Sequence, residues 1–185
     1  MATKRKAARR PARARRPAAR RPARVATIPK GYHTVTPALS FKDARPAIDY
    51  YVKAFGAKVK VRMDMPDGRV MHAELQIGDS RVMLGDEAPQ LGVRSAETLG
   101  GSSGSLMLYV KDCDAVFARA VAAGGKPMMP PADMFWGDRW GQLIDPFGHR
   151  WGVATHQADL TPAQVRRGAA AFMASMGQPR EEPKG

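Results

Sequence analysis

An internal repeat is the strongest constraint on what this chain can fold into. LSFKDARPAIDYYVKAFGAK, from Leu39, aligns with LYVKDCDAVFARAVAAGGK, from Leu108, at a constant offset of 69 residues. Leu39/Leu108, Lys42/Lys111, Asp43/Asp112, Ile48/Phe117, Val52/Val121 and Gly56/Gly125 coincide. Self-similarity of this kind implies that one supersecondary unit has been duplicated.

Each copy opens with an alternating strand, passes through Lys-Asp and enters a segment of helical period that stops at Gly. Ala47, Ile48, Tyr51, Val52 and Phe55 form the apolar stripe of the first helix, and Val116, Phe117, Ala120 and Val121 that of the second. Such stripes pack against a sheet, and Gly56 and Gly125 are expected as C-cap residues. In the first copy the strands KVKVRMDM, RVMHAELQI and RVMLGDE follow, with turns at Pro66-Asp67-Gly68 and Gly78-Asp79. In the second come KPMMPPADMF, RWGQLI and RWGVAT, with turns at Gly137-Asp138 and Asp145-Pro146-Phe147-Gly148,. Asp145 and Gly148 serve the backbone of that last turn, and His149 beside it is assigned a hydrogen-bonding role.

The order βαβββ therefore occurs twice, which gives an α+β fold: two tandem modules forming a cleft-shaped mixed sheet. The expected domain is 29–157, with module one at 31–88, a flexible connector at 89–104 and module two at 105–156. Gly101 to Gly104 in the connector are too loose for a phosphate loop. Thr161-Pro162-Ala163-Gln164 has capping-box spacing, so a C-terminal helix is expected over 158–177, ahead of a tail at 178–185. Val165, Phe172, Met173 and Met176 are its candidates for docking on the domain or on a second subunit.

The formal charge of +13 suggests a nucleic-acid binder until its location is examined. Residues 1–24 hold Lys4, Lys6 and nine Arg with no acid, which leaves the rest of the chain close to neutral,. Three RRPA copies, carrying Arg9, Arg10, Arg15, Arg16, Arg20 and Arg21, punctuate this segment with Pro. Residues 1–28 are accordingly expected to be a disordered basic tail with neither a helix nor the apolar stretch of a secretory signal. Extended at about 3.1 Å per residue it reaches on the order of 70 Å, and its Arg side chains suit sequence-blind, salt-sensitive contact with nucleic acid or another polyanion. In composition it resembles the tails of histone-H1-like proteins. The single Cys113 excludes an intrachain disulfide framework and favours a reducing compartment. No apolar run approaches the roughly 18 to 20 residues that span a bilayer. The expected location is cytoplasmic, with nucleoid association through the tail.

The tandem modules, together with TPALSF, AIDYYVKAFGA, MPDGRVMHAELQIGDS, MFWGDRWG and DPFGHRWGVATH, resemble the vicinal oxygen chelate superfamily of glyoxalase I, bleomycin-resistance proteins and extradiol dioxygenases. They are closest to its PhnB-like branch, over residues 31–156. The resemblance implies a divalent metal held by four His, Glu or Gln side chains from the first and last strands of both modules. Carried over, those positions fall on Val35, Leu84, Ser105 and Gly152. The neighbouring register offers Thr36, Met83, Leu106 and Trp151 or Val153. Neither set supplies the three or four oxygen or imidazole donors that such an ion needs, so no cofactor is expected and a divalent metal is disfavoured.

Other residues offer a site. His72 and Glu74 are two apart on a strand and share a face with Gln76, opposite Met71, Ala73, Leu75 and Ile77. The superfamily's cleft lies on the face away from the helices, which assigns the polar set to the cleft, with Glu74 as general base tuned by His72. At the matching places in module two stand Trp140 and Gln142. Trp136, Arg139 and Trp140 suggest an aromatic wall with a carboxylate or phosphate clamp, and Tyr109 joins them as a ligand contact. His33 reads as a loop residue, and no nucleophile elbow is present. The resemblance implies a homodimer that binds a small polar molecule. Isomerase, lyase or transferase chemistry, non-catalytic sequestration of a drug or metabolite, and tethering to nucleic acid by the tail are all compatible with these residues. Glyoxalase I activity is disfavoured without a metal to stabilise an enediolate.

Overall fold

The computed structural model describes residues 25–176. The arginines assigned to polyanion contact, most of the expected tail, the expected helix end at Gly177 and residues 178–185 lie outside that range, as does the Met176 side chain. In chain order the elements are β1 (Ala38–Phe41), α1 (Ala44–Phe55), β2 (Lys58–Asp64), β3 (Val70–Ile77), β4 (Ser80–Asp86), α2 (Ala96–Leu99), β5 (Ser105–Tyr109), α3 (Cys113–Ala122), β6 (Lys126–Asp133), β7 (Asp138–Ile144), β8 (Arg150–His156) and α4 (Pro162–Met176). The strands form two four-stranded mixed sheets, ordered β1-β4-β3-β2 and β5-β8-β7-β6. In each, the first strand lies parallel to the last and the other neighbours are antiparallel.

Local chemistry sets these boundaries. The Asp shared by the two copies caps each long helix: Asp43 accepts from the Arg45 N–H and Asp112 from the Ala115 N–H, both at 3.0 Å, satisfying donors that a first helical turn leaves free. Gly56 ends α1 in the left-handed region, with φ 66°. Gly125 does not cap α3; Ala123 does, and Gly124 takes the positive φ. Gly125 is needed instead for close approach, since a Cβ there would stand 2.7 Å from the Tyr50 hydroxyl and 2.9 Å from the Ala120 carbonyl. The capping box of α4 forms as expected, with Gln164 Oε1 accepting from the Thr161 N–H at 2.9 Å. Phe172 packs on Phe135 with ring centroids 5.5 Å apart, so α4 docks on the β6–β7 connection.

Two expectations about packing are corrected. Met71, expected on the same face as Ala73, Leu75 and Ile77, is 58% exposed while Val70 is buried. Asp64 pairs with Val70 and Met63 with His72, so Met71 is the extra residue of a β-bulge, which resets the alternation. Val52, placed on the α1 stripe, is exposed, and Ala44, Tyr50 and Ala54 are buried in addition to the rest. The connector, expected to be flexible, folds onto the domain. Ser95 caps α2, and Glu87 accepts from the Ser95 N–H at 2.8 Å and the Thr98 hydroxyl at 3.0 Å.

The modules meet through α1, α3 and the Asp145–Gly148 turn. Asp145 is more than a turn residue: although only 3% exposed, it accepts from the Tyr51 hydroxyl, Trp151 Nε1, and the Phe147 and His149 N–H groups. Four donors offset the cost of burying a carboxylate. Burial, reinforced by Asp145, pushes the Tyr51 phenol well above its ordinary pKa. Trp151 lies 4.7 Å from Phe55 and 5.3 Å from Tyr51 between ring centroids. His149 is buried against Phe41, with Nε2 3.4 Å from the Ser40 carbonyl. Its role is thus a core contact between modules.

Candidate functional site

Each sheet has one face against a helix and one open face. In module one Ala73, Leu75 and Ile77 are buried on the helix side, which leaves His72, Glu74 and Gln76 on the open face, as expected. His72 Nε2 lies 3.3 Å from Glu74 Oε1. Gln76 is engaged locally, its Nε2 donating to the Gly78 carbonyl at 3.1 Å. The Tyr32 phenol and His72 hold the Glu74 carboxyl below its usual range against the burial that raises it. The same proximity to Glu74 raises the Tyr32 phenol. These contacts favour the ionised carboxylate, a hydrogen-bond acceptor on the open face,.

In module two the open face carries Tyr109, Trp140 and Gln142, while Arg139 points the other way. Its Nε and Nη2 donate to Asp114 at 2.6 and 2.8 Å and its Nη1 to Asp133 at 3.1 Å, and these carboxylates raise its pKa further. Strand alternation puts Arg139 on the helix side, where it braces α3 against β6 and its guanidinium is taken. Trp136 packs edge-on against Trp140 at 5.8 Å, and its Nε1 donates to Asp138 at 3.1 Å.

Asp138 is the polar centre of this face. It is 4% exposed and also accepts from the Tyr109 hydroxyl at 2.9 Å, with His156 Nδ1 2.7 Å away. Burial works to raise its carboxyl, but the contacts with His156, Tyr109 and Trp136 outweigh it and the pKa lies below the ordinary value. Asp138 and then Asp159, 3.1 Å from His156 Nε2, raise the imidazole. The sequence reading missed this pair, though a signal existed: counting outward equally from the turn that bonds Asp145 to His149 sets Asp138 opposite His156.

The positions implied for metal ligands are differently used. Val35 is exposed ahead of β1 and Leu84 is buried on the helix side; Ser105 opens β5. The neighbouring Met83 lies across from Glu74 and brings a thioether. Gly152 lies on the open face, paired with Met107 and Gln142. A Cβ at 152 would stand 2.6 Å from Trp140 Nε1 and 2.9 Å from Met107 Sδ. The indole and the thioether thus occupy the space that a ligating side chain would need. Trp140 Nε1 is buried with no partner among the described residues. Among those residues, no group of three His, Cys, Asp or Glu side chains is placed to hold a metal.

A cavity of about 370 Å³ lies where the modules meet. His33, Val35 and Arg81 from module one and Met107 and Tyr109 from module two line it, over Trp151. Of the expected ligand-contacting residues only Tyr109 reaches it. The polar contacts of His72, Glu74 and Gln76 stay within module one, and those of Trp136 and Tyr109 within module two. Arg81, across the sheet from Gln76, was not foreseen.

Tandem βαβββ modules with open faces of this kind define a class. The chain belongs to the Glyoxalase/Bleomycin resistance protein/Dioxygenase superfamily, whose family profile matches residues 33–153. An uncharacterized protein of Mycobacterium tuberculosis (strain ATCC 25618 / H37Rv) is 40% identical over 146 residues, covering 77% of this chain and 84% of the relative. TioX from Micromonospora sp. ML1 superposes with a TM-score of 0.53 at 29% identity, over 65% of this chain and 96% of that one. A PhnB protein from Bacillus cereus shares the fold, with a TM-score of 0.54 at 21% identity over 66% of this chain and 99% of that one. Among the described residues no helix is long and apolar enough to cross a membrane.

Proposed function

We propose that this protein binds a small organic molecule against the open faces of its sheets without a divalent ion at the superfamily's position. The observation that carries this reading is Gly152, where Trp140 and Met107 fill the space of a ligating side chain. The donor set agrees, because Val35, Leu84 and Gly152 bring no ligating atom, and the residues present do not fit the superfamily metal. What the faces offer a ligand is amphipathic. Met63, Met83, Met107 and Trp140 present soft, adaptable apolar surface, while His72 and Glu74 present polar contacts. Sequestration is the leading form of this reading, since it asks only for burial and hydrogen bonds.

The His72–Glu74 contact favours one rival, in which Glu74 moves a proton for an isomerase, lyase or transferase reaction. Glu74→Gln separates the two: under sequestration the variant still binds and no turnover is lost, whereas abolished turnover in a folded variant defeats sequestration. Met63, Met107 and Tyr109 are exposed, and a homodimer that covers them accords with the fold. A monomer by analytical ultracentrifugation at micromolar concentration would contradict it. For the Arg-rich residues 1–24 we propose weak, non-specific polyanion contact; deleting them should abolish retention on duplex DNA at low salt, and unchanged retention would refute it. Native mass spectrometry of the purified full chain tests the main reading. A retained organic molecule without a stoichiometric metal supports it, and a stoichiometric divalent ion overturns it.

A further inference from the structure

We infer that Arg81 is a receptor for the carboxylate of a small ligand whose apolar body occupies the cavity between the modules. This rests on the small-molecule reading above and adds the chemical class. Arg81 opens β4, with its guanidinium carbon 5.8 Å from the centre of the Tyr32 ring. Its Nε and Nη1 are buried and meet no acceptor among the described residues. The other surface arginines around β2, β3 and β7 show what an Arg without a ligand role does here: Arg62, Arg69 and Arg139 each bind a nearby Asp.

Arg81 lines the cavity, and buried guanidinium donors without a partner are costly unless an anion or water completes the group. Glu74, on the same sheet, has its Oε1 3.3 Å from His72 Nε2 and makes no ion pair with Arg81. Asp79, on the cavity wall, is 3.9 Å from His33 rather than on Arg81. Arg81 therefore brings a positive charge with no acid partner among the described residues to the cavity wall, and a guanidinium so placed suits carboxylate recognition.

The surroundings select the rest of the ligand. Val35, Pro37, Met107 and Leu108 make the wall largely apolar, and about 370 Å³ falls within the range of small-molecule sites,. One guanidinium with Asp79 close by balances a single negative charge better than the near-double charge of a phosphate monoester. A flat or aliphatic monocarboxylate fits this description.

The test compares 1-naphthoate, 1-naphthamide and 1-naphthyl phosphate for binding to the full chain, read by tryptophan emission because Trp151 lines the cavity, and by calorimetry. The expected result is naphthoate binding about ten- to a hundredfold tighter than naphthamide, as a charge-assisted pair gives, and tighter than the phosphate. In Arg81→Gln that preference disappears through the loss of naphthoate affinity, while naphthamide binding is unchanged. Arg81→Lys keeps the charge but not the fork and recovers only part. Equal binding of naphthoate and naphthamide to the wild-type chain, which needs no variant to fold, overturns the carboxylate assignment and leaves the small-molecule reading standing. Preference for the phosphate overturns it as well. No binding of any of the three removes the cavity as a ligand site.

Discussion

Gly152 is the residue on which the functional reading turns. A side chain there must displace a stiff indole 2.6 Å away and a flexible thioether 2.9 Å away. Gly152→Ala should therefore cost about 1–3 kcal/mol through overpacking, visible as a Tm several degrees lower; an unchanged Tm would show the space to be free. Sequence position identified this site, but a string of letters does not show that Trp140 fills it, because that depends on the β7–β8 register. Asp138 and His156 allow a second check. With its pKa depressed, Asp138 contributes stability that is full above the ordinary carboxyl value and lost as pH falls through the depressed one. With its pKa raised, His156 contributes below the ordinary imidazole value of 6.5 and loses its contribution as pH rises through the raised one,. The destabilisation caused by Asp138→Asn, measured by urea unfolding, should thus be larger at about pH 5.5 than at about pH 9. Equal destabilisation would contradict the pairing.

At the scale of elements, the repeat made most of the fold legible, because caps, turns and stripes depend on neighbours in the chain. Helices α1 and α3, the hairpins and the capping box of α4 all follow from local chemistry. Where the reading failed, distant contacts had intervened. The bulge at Met71 arises from pairing with β2, and the alternation of β7 puts Arg139 on the same side as the buried Leu143,. Gly56 and Gly125 make the same point, for equivalent letters do different work. Gly56 holds a left-handed φ in open space, whereas Gly125 makes room for the Tyr50 hydroxyl and the Ala120 carbonyl. Gly56→Ala should cost about 1–2 kcal/mol of backbone strain. Gly125→Ala should cost a similar amount or more by collision, and only this loss should be partly relieved by adding Tyr50→Phe. Relief of both variants, or of neither, in chemical denaturation would contradict the distinction.

For the whole molecule, two modules joined through α1, α3 and the cluster of Tyr51, Asp145 and Trp151 leave two open faces and a cavity at the junction of the modules. Asp145 ties α1 of one module to β8 of the other, so Tyr51→Phe should destabilise the chain by about 1–3 kcal/mol, with one cooperative transition by both fluorescence and circular dichroism. Separate transitions would mean that the modules fold independently. The superfamily's architecture was readable because it is built from a duplicated local unit. Arg81 and the Asp138 network were not, since each is defined by what surrounds it in space. Metal-independent ligand binding is the central claim, and calorimetric titration of the chelator-treated full chain with Zn²⁺, Ni²⁺ and Mn²⁺ tests it most directly. The expected result is no saturable one-to-one binding at micromolar concentration and a 1-naphthoate affinity unaltered by any of the ions. Stoichiometric micromolar binding of one of them, lost in a folded variant of an open-face residue such as His72→Ala, would contradict it.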